Sequence, residues 1–125
     1  MTITQALEIV DRLTQNQYDM EDKIRWLAEL DGIAHREVLR THEMDVPEEF
    51  HPYRPEQDLD RTVLLIGAPY DEIYRWYLDM KIAEANGETD RYNAAAGSYN
   101  QYFTAWQNYI NRSYMPRERA TNFRL

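Results

Sequence analysis

The sequence predicts a mainly α-helical protein, a small bundle of about four helices in a single domain. Apolar residues recur every three or four positions along most of the 125-residue chain, which is the period of amphipathic helices. The breaks between these stretches carry residues that stop or start helices, such as Asn86 and Gly87. The predicted domain covers residues 1–115, and a basic C-terminal tail follows over residues 116–125.

The first two helices are predicted from their caps and their apolar stripes. Thr4 is expected to cap the first helix, and Asp19 the second, which continues to about Thr41. The second helix is apolar on two nearly opposite sides. Such a helix is central in its domain or also touches another molecule. One side carries Ile24, Leu27 and Ala34, and the other carries Trp26, Leu30 and Ile33.

A long acidic segment, EMDVPEEFHPYRPEQDLD over residues 43–60, follows the second helix. Its prolines exclude a regular helix, and its acids are opposed only by Arg54. A loop of this length in a small domain is uncommon unless it is mobile or binds something. We therefore expect either a solvated loop or a contact with a neighbouring molecule. The candidate contact residues are Glu48, Glu49, Phe50, Tyr53 and Arg54.

The third helix is the best candidate for the centre of the domain. Before it, the β-branched and leucine run at residues 62–66 is compatible with one strand of a short β-hairpin or with buried coil. Pro69 and the acids that follow it predict a helix start, and apolar residues then cover most of the helix circumference up to Asn86. Gly87 is expected to end this helix in the left-handed conformation, and Thr89 to cap the fourth helix.

The fourth helix has an unusual polar face, because no charged side chain occurs between Asn93 and Asn111. A solvated face is the usual interpretation, but Asn and Gly are poor helix formers that Glu or Lys would outperform. Amides beside small residues let another backbone approach closely, whereas a charge there would have to be desolvated. We therefore expect a packed subunit seam, or a surface facing a polyanion that it must not hold. The face comprises Asn93, Gly97, Asn100, Gln101, Thr104, Gln107, Asn108 and Asn111.

Composition argues against several functional classes. The formal net charge of -8 disfavours a protein that grips nucleic-acid phosphates, and the absence of cysteine excludes disulfides and thiolate metal sites. No run approaches the ~20 apolar residues of a membrane span, and the N-terminus lacks the pattern of a secretory signal. We expect a soluble protein with no cofactor.

Catalytic and metal-binding motifs are also missing from the sequence. His35 and His42 lie on one helix face, but their separation of about 10.5 Å is too large for one metal ion. Asp31 and His35 are instead expected to form a helix-surface hydrogen bond. Without a phosphate loop, a nucleophile elbow or a zinc-protease motif, we predict no enzymatic activity.

Three stretches together resemble the head-tail connector proteins of tailed bacteriophages and prophages, small adaptors that sit below the portal. The stretches are KIRWLAELDG at residues 23–32, LLIGAPYDEIYRWYLDMKIAEANGE at residues 64–88 and RYNAAAGSYNQYFTAWQNYINR at residues 91–112. The resemblance implies a mostly helical subunit that repeats about twelve times in a cyclic ring docked on the portal. It implies further that the ring extends the DNA channel without sequence-specific binding and receives a stopper or the next neck protein.

This resemblance suggests a task for the basic tail, namely docking on the portal by charge pairing and by burial of its apolar residues. Its predicted residues are Arg112, Arg117, Arg119, Phe123, Arg124 and Leu125. The implied location is the neck of the virion, after synthesis in the cytoplasm of the bacterial host.

Two other readings of the sequence compete with a connector. A small acidic helical protein could sequester a basic partner through residues 43–60 and act as a regulator. A metal-dependent hydrolase would use His35, His42, His51 and nearby acids, and would retain metal after purification.

Overall fold

The computed structural model describes residues 1–117, which form a mainly α-helical bundle as predicted. Two short 3-10 helices accompany the α-helices, and residues 1–117 contain no β-strand. The α-helices are α1 (Ile3–Leu13), α2 (Met20–Glu37), α3 (Ile73–Asn86) and α4 (Thr89–Ser113), and the 3-10 helices are Leu39–Thr41 and Tyr70–Glu72.

Helix α3 lies at the centre of the bundle, as its wide apolar surface predicts. It packs against α1, α2 and α4, and it buries Ile73, Tyr74, Leu78 and Ile82 completely. Helix α4 packs mainly on α3 and on the 3-10 helix Tyr70–Glu72, which precedes α3. The bundle therefore has a well-covered interior and one long helix at its edge.

The helix starts differ from the prediction at two of the caps. Thr2, not Thr4, caps α1, because Thr2 and Gln5 satisfy each other's backbone N–H groups in a capping box. The hydroxyl of Thr4 donates instead to Asp60 at 2.5 Å. At α4 the N-cap is Glu88, so Thr89 is already helical. Asp19 does occupy the N-cap position of α2, although its side chain makes no cap hydrogen bond.

The end of α3 is as the sequence predicts, whereas the end of α2 is not. Gly87 adopts φ 73° after α3, a left-handed conformation that suits glycine. Helix α2 ends at Glu37, and the chain tightens into the 3-10 turn Leu39–Thr41 where the sequence predicts continued helix.

Residues 62–66 are coil and not a hairpin strand, with Leu64 and Ile66 buried and Val63 and Leu65 exposed. Val63 forms only an isolated bridge with Thr2, while Leu64 and Ile66 are buried. The backbone N–H of Leu64 donates to the carbonyl of Met1 at 2.9 Å, and that of Ile66 donates to the hydroxyl of Tyr74 at 2.8 Å. The backbone of this segment therefore bonds to Met1 and to the Tyr74 side chain and not to a partner strand.

The first residues of the predicted tail belong to the packed domain. Pro116 bridges His42, and the N–H of Arg117 donates to the carbonyl of Thr41 at 2.8 Å. On the same segment, the N–H of Glu43 donates to the carbonyl of Met115 at 2.7 Å. The chain thus returns from α4 to the end of α2.

Candidate interaction surfaces

The acidic loop, residues 43–60, is anchored to the domain along its length. Its apolar residues are half-buried and pack against the core, whereas its acids point to solvent. The packed residues are Met44, Val46, Tyr53 and Leu59, and the exposed acids are Glu43, Asp45, Glu48, Glu49, Glu56, Asp58 and Asp60. An ordered loop that displays carboxylates in this way presents an acidic surface of fixed shape.

The main polar anchor of this loop is Asp31, a fully buried carboxylate on α2. It accepts hydrogen bonds from the hydroxyls of Tyr53 and Tyr74, both at 2.5 Å, and from the N–H of Leu65 at 3.0 Å. Burial raises the pKa of Asp31, because a desolvated carboxylate is costly, and the three donors lower it in part. Asp31 thereby ties α2 to the acidic loop, to residues 62–66 and to α3.

The expected hydrogen bond between Asp31 and His35 is absent from this arrangement. His35 Nε2 donates to the carbonyl of Pro47 at 2.7 Å, because Asp31 faces the interior and is already occupied by its three donors. The sequence does hold a signal for the buried position of Asp31. It stands four residues after Leu27 and three before Ala34, within the apolar stripe of α2.

The predicted contact residues of the loop fall into two groups. Glu48, Glu49 and Arg54 are exposed and accessible to a partner. Phe50 and Tyr53 are half-buried, and their rings meet edge-to-face with centroids 5.3 Å apart. The aromatic pair therefore holds the loop in place, and the charged residues form its outer surface.

A groove, which the sequence did not indicate, lies beside Phe50. It is open to solvent, has a volume of about 550 Å³, and is called the α2 groove below. Its apolar wall consists of Ala28, Gly32, Ile33, Phe50, Pro52 and Tyr77, and its charged rim consists of Arg25, Glu29 and Arg36. The one sequence signal near this groove is the second apolar side of α2, whose member Ile33 is exposed in the structure while Trp26 and Leu30 are buried.

The amide face of α4 lies on the surface of the described domain. Gln107 is half-buried, and the other seven predicted residues of the face are exposed. Residues 93, 97, 100, 104, 107 and 111 follow one another at alternating intervals of four and three, which places them in one narrow stripe along the helix. Within α4 only Ala95, Trp106 and Ile110 are buried. The helix thus offers a long uncharged side to solvent.

Asn111 has a different role from the rest of this face. Its Oδ1 lies 2.8 Å from Nε2 of His42, whose Nδ1 lies 2.8 Å from the carbonyl oxygen of Val38. His42 is buried, so this pair fastens the end of α4 to the end of α2. Asn111 is itself exposed, but its Oδ1 serves this internal contact between the two helix ends.

The predicted tail is described only in part. Arg112 is exposed on the last turn of α4, and Arg117 donates from its guanidinium to the carbonyl of Met44 at 3.0 Å. Arg117 therefore lies against the base of the acidic loop, which the sequence did not predict. Arg119, Phe123, Arg124 and Leu125 lie outside the described residues.

Neither a cluster of metal-binding side chains nor a helix that could span a membrane occurs within residues 1–117. Among residues 1–117, no three His, Asp or Glu side chains lie close enough to hold one metal ion. None of the helices within that range has both the length and the apolarity to cross a bilayer. No family model, curated protein or solved structure matches the chain.

Proposed function

We propose that this chain is a head-tail connector of a tailed bacteriophage or prophage, a structural protein that forms a ring below the portal. The ring extends the DNA channel and joins the head to the tail in the neck of the virion. Its partners are further copies of the chain, about twelve in all, the portal protein, and a stopper or the next neck protein. The observation that carries the proposal is the exposed, uncharged face of α4 on a strongly acidic chain.

Electrostatics makes this face suitable for an assembly of identical subunits. Each copy carries a formal charge of -8, so bringing copies together opposes like charges over most of their surfaces. Residues 93–111 of α4 carry no charge, so a neighbour approaches there without desolvating an ion. The small residues of the stripe also permit close helix packing. The amides beside them can donate and accept hydrogen bonds across the contact.

The same face suits the border of a DNA channel. Fixed positive charge there would hold the phosphates and slow passage of the genome, and α4 offers none between Asn93 and Asn111. The acids displayed on the acidic loop repel DNA in addition. An acidic ring with neutral walls therefore supports passage of duplex DNA without sequence-specific contacts.

The remaining surfaces have separate tasks in this proposal. The tail from Arg112 onward docks on the portal, and the acidic loop meets a neighbour or the next neck protein. Arg117 lies against Met44 at the start of the acidic loop, so the tail begins beside that loop. Deletion of residues 118–125 is expected to abolish portal binding, and unchanged binding would contradict this task.

Native mass spectrometry of the chain mixed with the portal protein encoded beside it tests the proposal. We expect a defined multiple of 15.0 kDa to add to the portal mass. The double variant Asn100→Glu with Thr104→Glu places like charges on the stripe and should prevent assembly while the monomer stays folded. Gln15→Glu with Gln17→Glu is the matched control, because it adds the same charge at exposed positions between α1 and α2.

A second candidate function is a regulator that sequesters a basic partner through the acidic loop. The ordered display of its exposed carboxylates favours this function. The regulator would be a stable monomer or dimer without affinity for the portal, and its binding to a basic protein would weaken steeply with salt. No added mass on the portal, together with a monomeric chain, would favour the regulator over the connector.

A further inference from the structure

Three polar side chains meet where the segment between α1 and α2 reaches the start of α2. Lys23 of α2 is only 5% exposed, although lysine is among the residue types least often buried. Its Nζ donates to Oδ1 of Asp11 at 2.6 Å and to Oδ1 of Asn16 at 3.1 Å. Asn16 in turn donates from Nδ2 to the same oxygen of Asp11 at 3.2 Å. An amine, a carboxamide and a carboxylate therefore contact one another pairwise.

The orientation of the Asn16 carboxamide is fixed by the backbone around it. Its Nδ2 also donates to the carbonyl of Thr14 at 2.9 Å, and its Oδ1 also accepts from the N–H of Tyr18 at 3.2 Å. Exchanging the oxygen and the nitrogen would set two acceptors against each other at Thr14 and two donors at Tyr18. The amide oxygen therefore faces two donors, and the amide nitrogen faces the carboxylate of Asp11.

This arrangement supplies each group that transfer of an acyl group to an amine requires. The nucleophile, Nζ of Lys23, contacts Oδ1 of Asn16, and the electrophilic Cγ lies about 1.2 Å from that oxygen along the C=O bond. Asp11 contacts both nitrogens, so it can take protons from one and give them to the other. The N–H of Tyr18 points at the oxygen that becomes negative when Cγ is attacked.

We propose that Lys23 and Asn16 become joined by an isopeptide bond, in a single-turnover reaction that the chain performs on itself. Asp11 accepts a proton from the Lys23 ammonium, and the free amine attacks Cγ of Asn16. Two protons in all pass from the Lys23 nitrogen through Asp11 to the amide nitrogen, which leaves as an ammonium ion when its bond to Cγ breaks. The bond between Nζ and Cγ replaces the one that is lost, and Asp11 ends as a carboxylate.

The product ties the segment between α1 and α2 covalently to α2. The chain has no cysteine, so this bond is a cross-link that requires neither a disulfide nor an oxidant. It also removes the positive charge of Lys23, one of the few buried charges of the bundle. The reaction goes beyond the proposed connector function and does not depend on it, because all three side chains belong to one copy.

Peptide mass spectrometry of the full, folded chain tests the proposal. The protein is held at neutral and mildly alkaline pH, and samples taken over several days are digested with trypsin. Trypsin cuts after Arg12, Lys23 and Arg25, but it does not cut after a lysine whose amine is acylated. We expect a peptide of residues 13–25 that is uncut at Lys23 and lighter than its sequence by one ammonia molecule. The same chain kept unfolded in urea should give only the separate peptides, because the fold assembles the three groups.

Side-chain replacements assign the roles. Asp11→Asn keeps the size of the side chain but removes the proton carrier, and it should slow formation of the cross-link by about a hundredfold or more. Asp22→Asn is the matched control, because Asp22 pairs with Arg25 at 3.1 Å and should leave the rate unchanged. Lys23→Arg keeps the positive charge but lacks the nucleophile, so it should form no cross-link. Circular dichroism verifies that each variant retains the helices of the wild type.

Three results would count against the proposal. Complete cleavage after Lys23 with no loss of mass in the wild type would overturn it and leave the three residues as an ion pair with a hydrogen-bonded amide. Loss of ammonia from Asn16 with normal cleavage after Lys23 would also overturn it, because a backbone nitrogen would then have attacked Cγ. Cross-linking of Asp11→Asn at the wild-type rate would refute the role of Asp11. Binding to the portal is measured separately, so failure of the connector proposal and failure of this reaction are distinguishable.

Discussion

The hydroxyl of Tyr53 donates a hydrogen bond of 2.5 Å to Oδ2 of Asp31, and this contact joins the acidic loop to the buried centre of the bundle. The other oxygen of the carboxylate accepts from Tyr74 on α3, and the N–H of Leu65 completes the set. One carboxylate therefore fixes three segments that are far apart in sequence.

Replacement of Asp31 should destabilise the domain strongly. Asp31→Ala leaves two tyrosine hydroxyls and one backbone N–H without an acceptor, and we expect the free energy of unfolding to fall by about 3 kcal/mol. Asp31→Asn keeps one carbonyl oxygen as an acceptor, so its cost should be smaller, about 1–2 kcal/mol. Urea denaturation followed by tryptophan fluorescence measures both changes. A loss below about 0.5 kcal/mol for Asp31→Ala would show that the network contributes little.

The raised pKa of Asp31 predicts a pH dependence of defined sign. The folded protein holds this proton more tightly than the unfolded chain, whose Asp has the ordinary value of 3.8. The contribution of Asp31 to stability is therefore fully present below 3.8 and is lost as pH rises through the raised pKa. The difference in unfolding free energy between wild type and Asp31→Asn should shift in favour of wild type as pH falls. A difference that is constant with pH would contradict the shift.

Tyr53→Phe should loosen the acidic loop while the bundle stays folded. The variant removes one donor to Asp31 but keeps the ring against Phe50, so we expect a loss of about 1–2 kcal/mol. Trypsin should cut faster after Arg54, which is exposed in this loop. Tyr102→Phe is the matched control, because the Tyr102 hydroxyl makes no hydrogen bond within residues 1–117. Equal cleavage rates in the two variants would exclude the anchoring role.

Asn111 should differ in behaviour from the rest of the α4 face. Asn111→Ala removes the partner of the buried His42 ring, and the free energy of unfolding should fall by about 1–2 kcal/mol. Asn100→Ala should change it by less than about 0.5 kcal/mol, because Asn100 is exposed and does not share the contact of Asn111 with His42. Thermal denaturation of the two monomeric variants makes the comparison. Equal effects would show that Asn111 is merely solvated.

Periodicity predicted the helices well because they are long and their stops are local. Gly87, for example, ends α3 through a backbone conformation that depends on little beyond the residue itself. The cap of α1 depends on which of two nearby threonines forms a capping box, and Gln5 forms it with Thr2 while Thr4 binds Asp60. The coil at residues 62–66 depends on contacts with the N-terminus and Tyr74, which periodicity does not show.

The candidate surfaces were predictable to a smaller extent. The uncharged face of α4 can be predicted from the sequence. The charge of each residue is known from its type, and the helical period shows which residues share a face. The α2 groove cannot be read in this way, since Phe50 and Pro52 reach it from a loop and Tyr77 from another helix. The separate role of Asn111 likewise requires the position of His42, which is remote in sequence.

The uneven burial of α4 gives the helix a gradient of local stability along its length. Its first half has Ala95 as its buried anchor, whereas Trp106 and Ile110 hold its second half against the core. The N-terminal turns can therefore open without disturbing α1 or α2, and their backbone amide hydrogens exchange with solvent through small fluctuations. Toward Ser113 we expect the amide hydrogens to exchange only when a larger unit opens, because the contact of Asn111 with His42 and the backbone bonds of residues 115–117 hold that end.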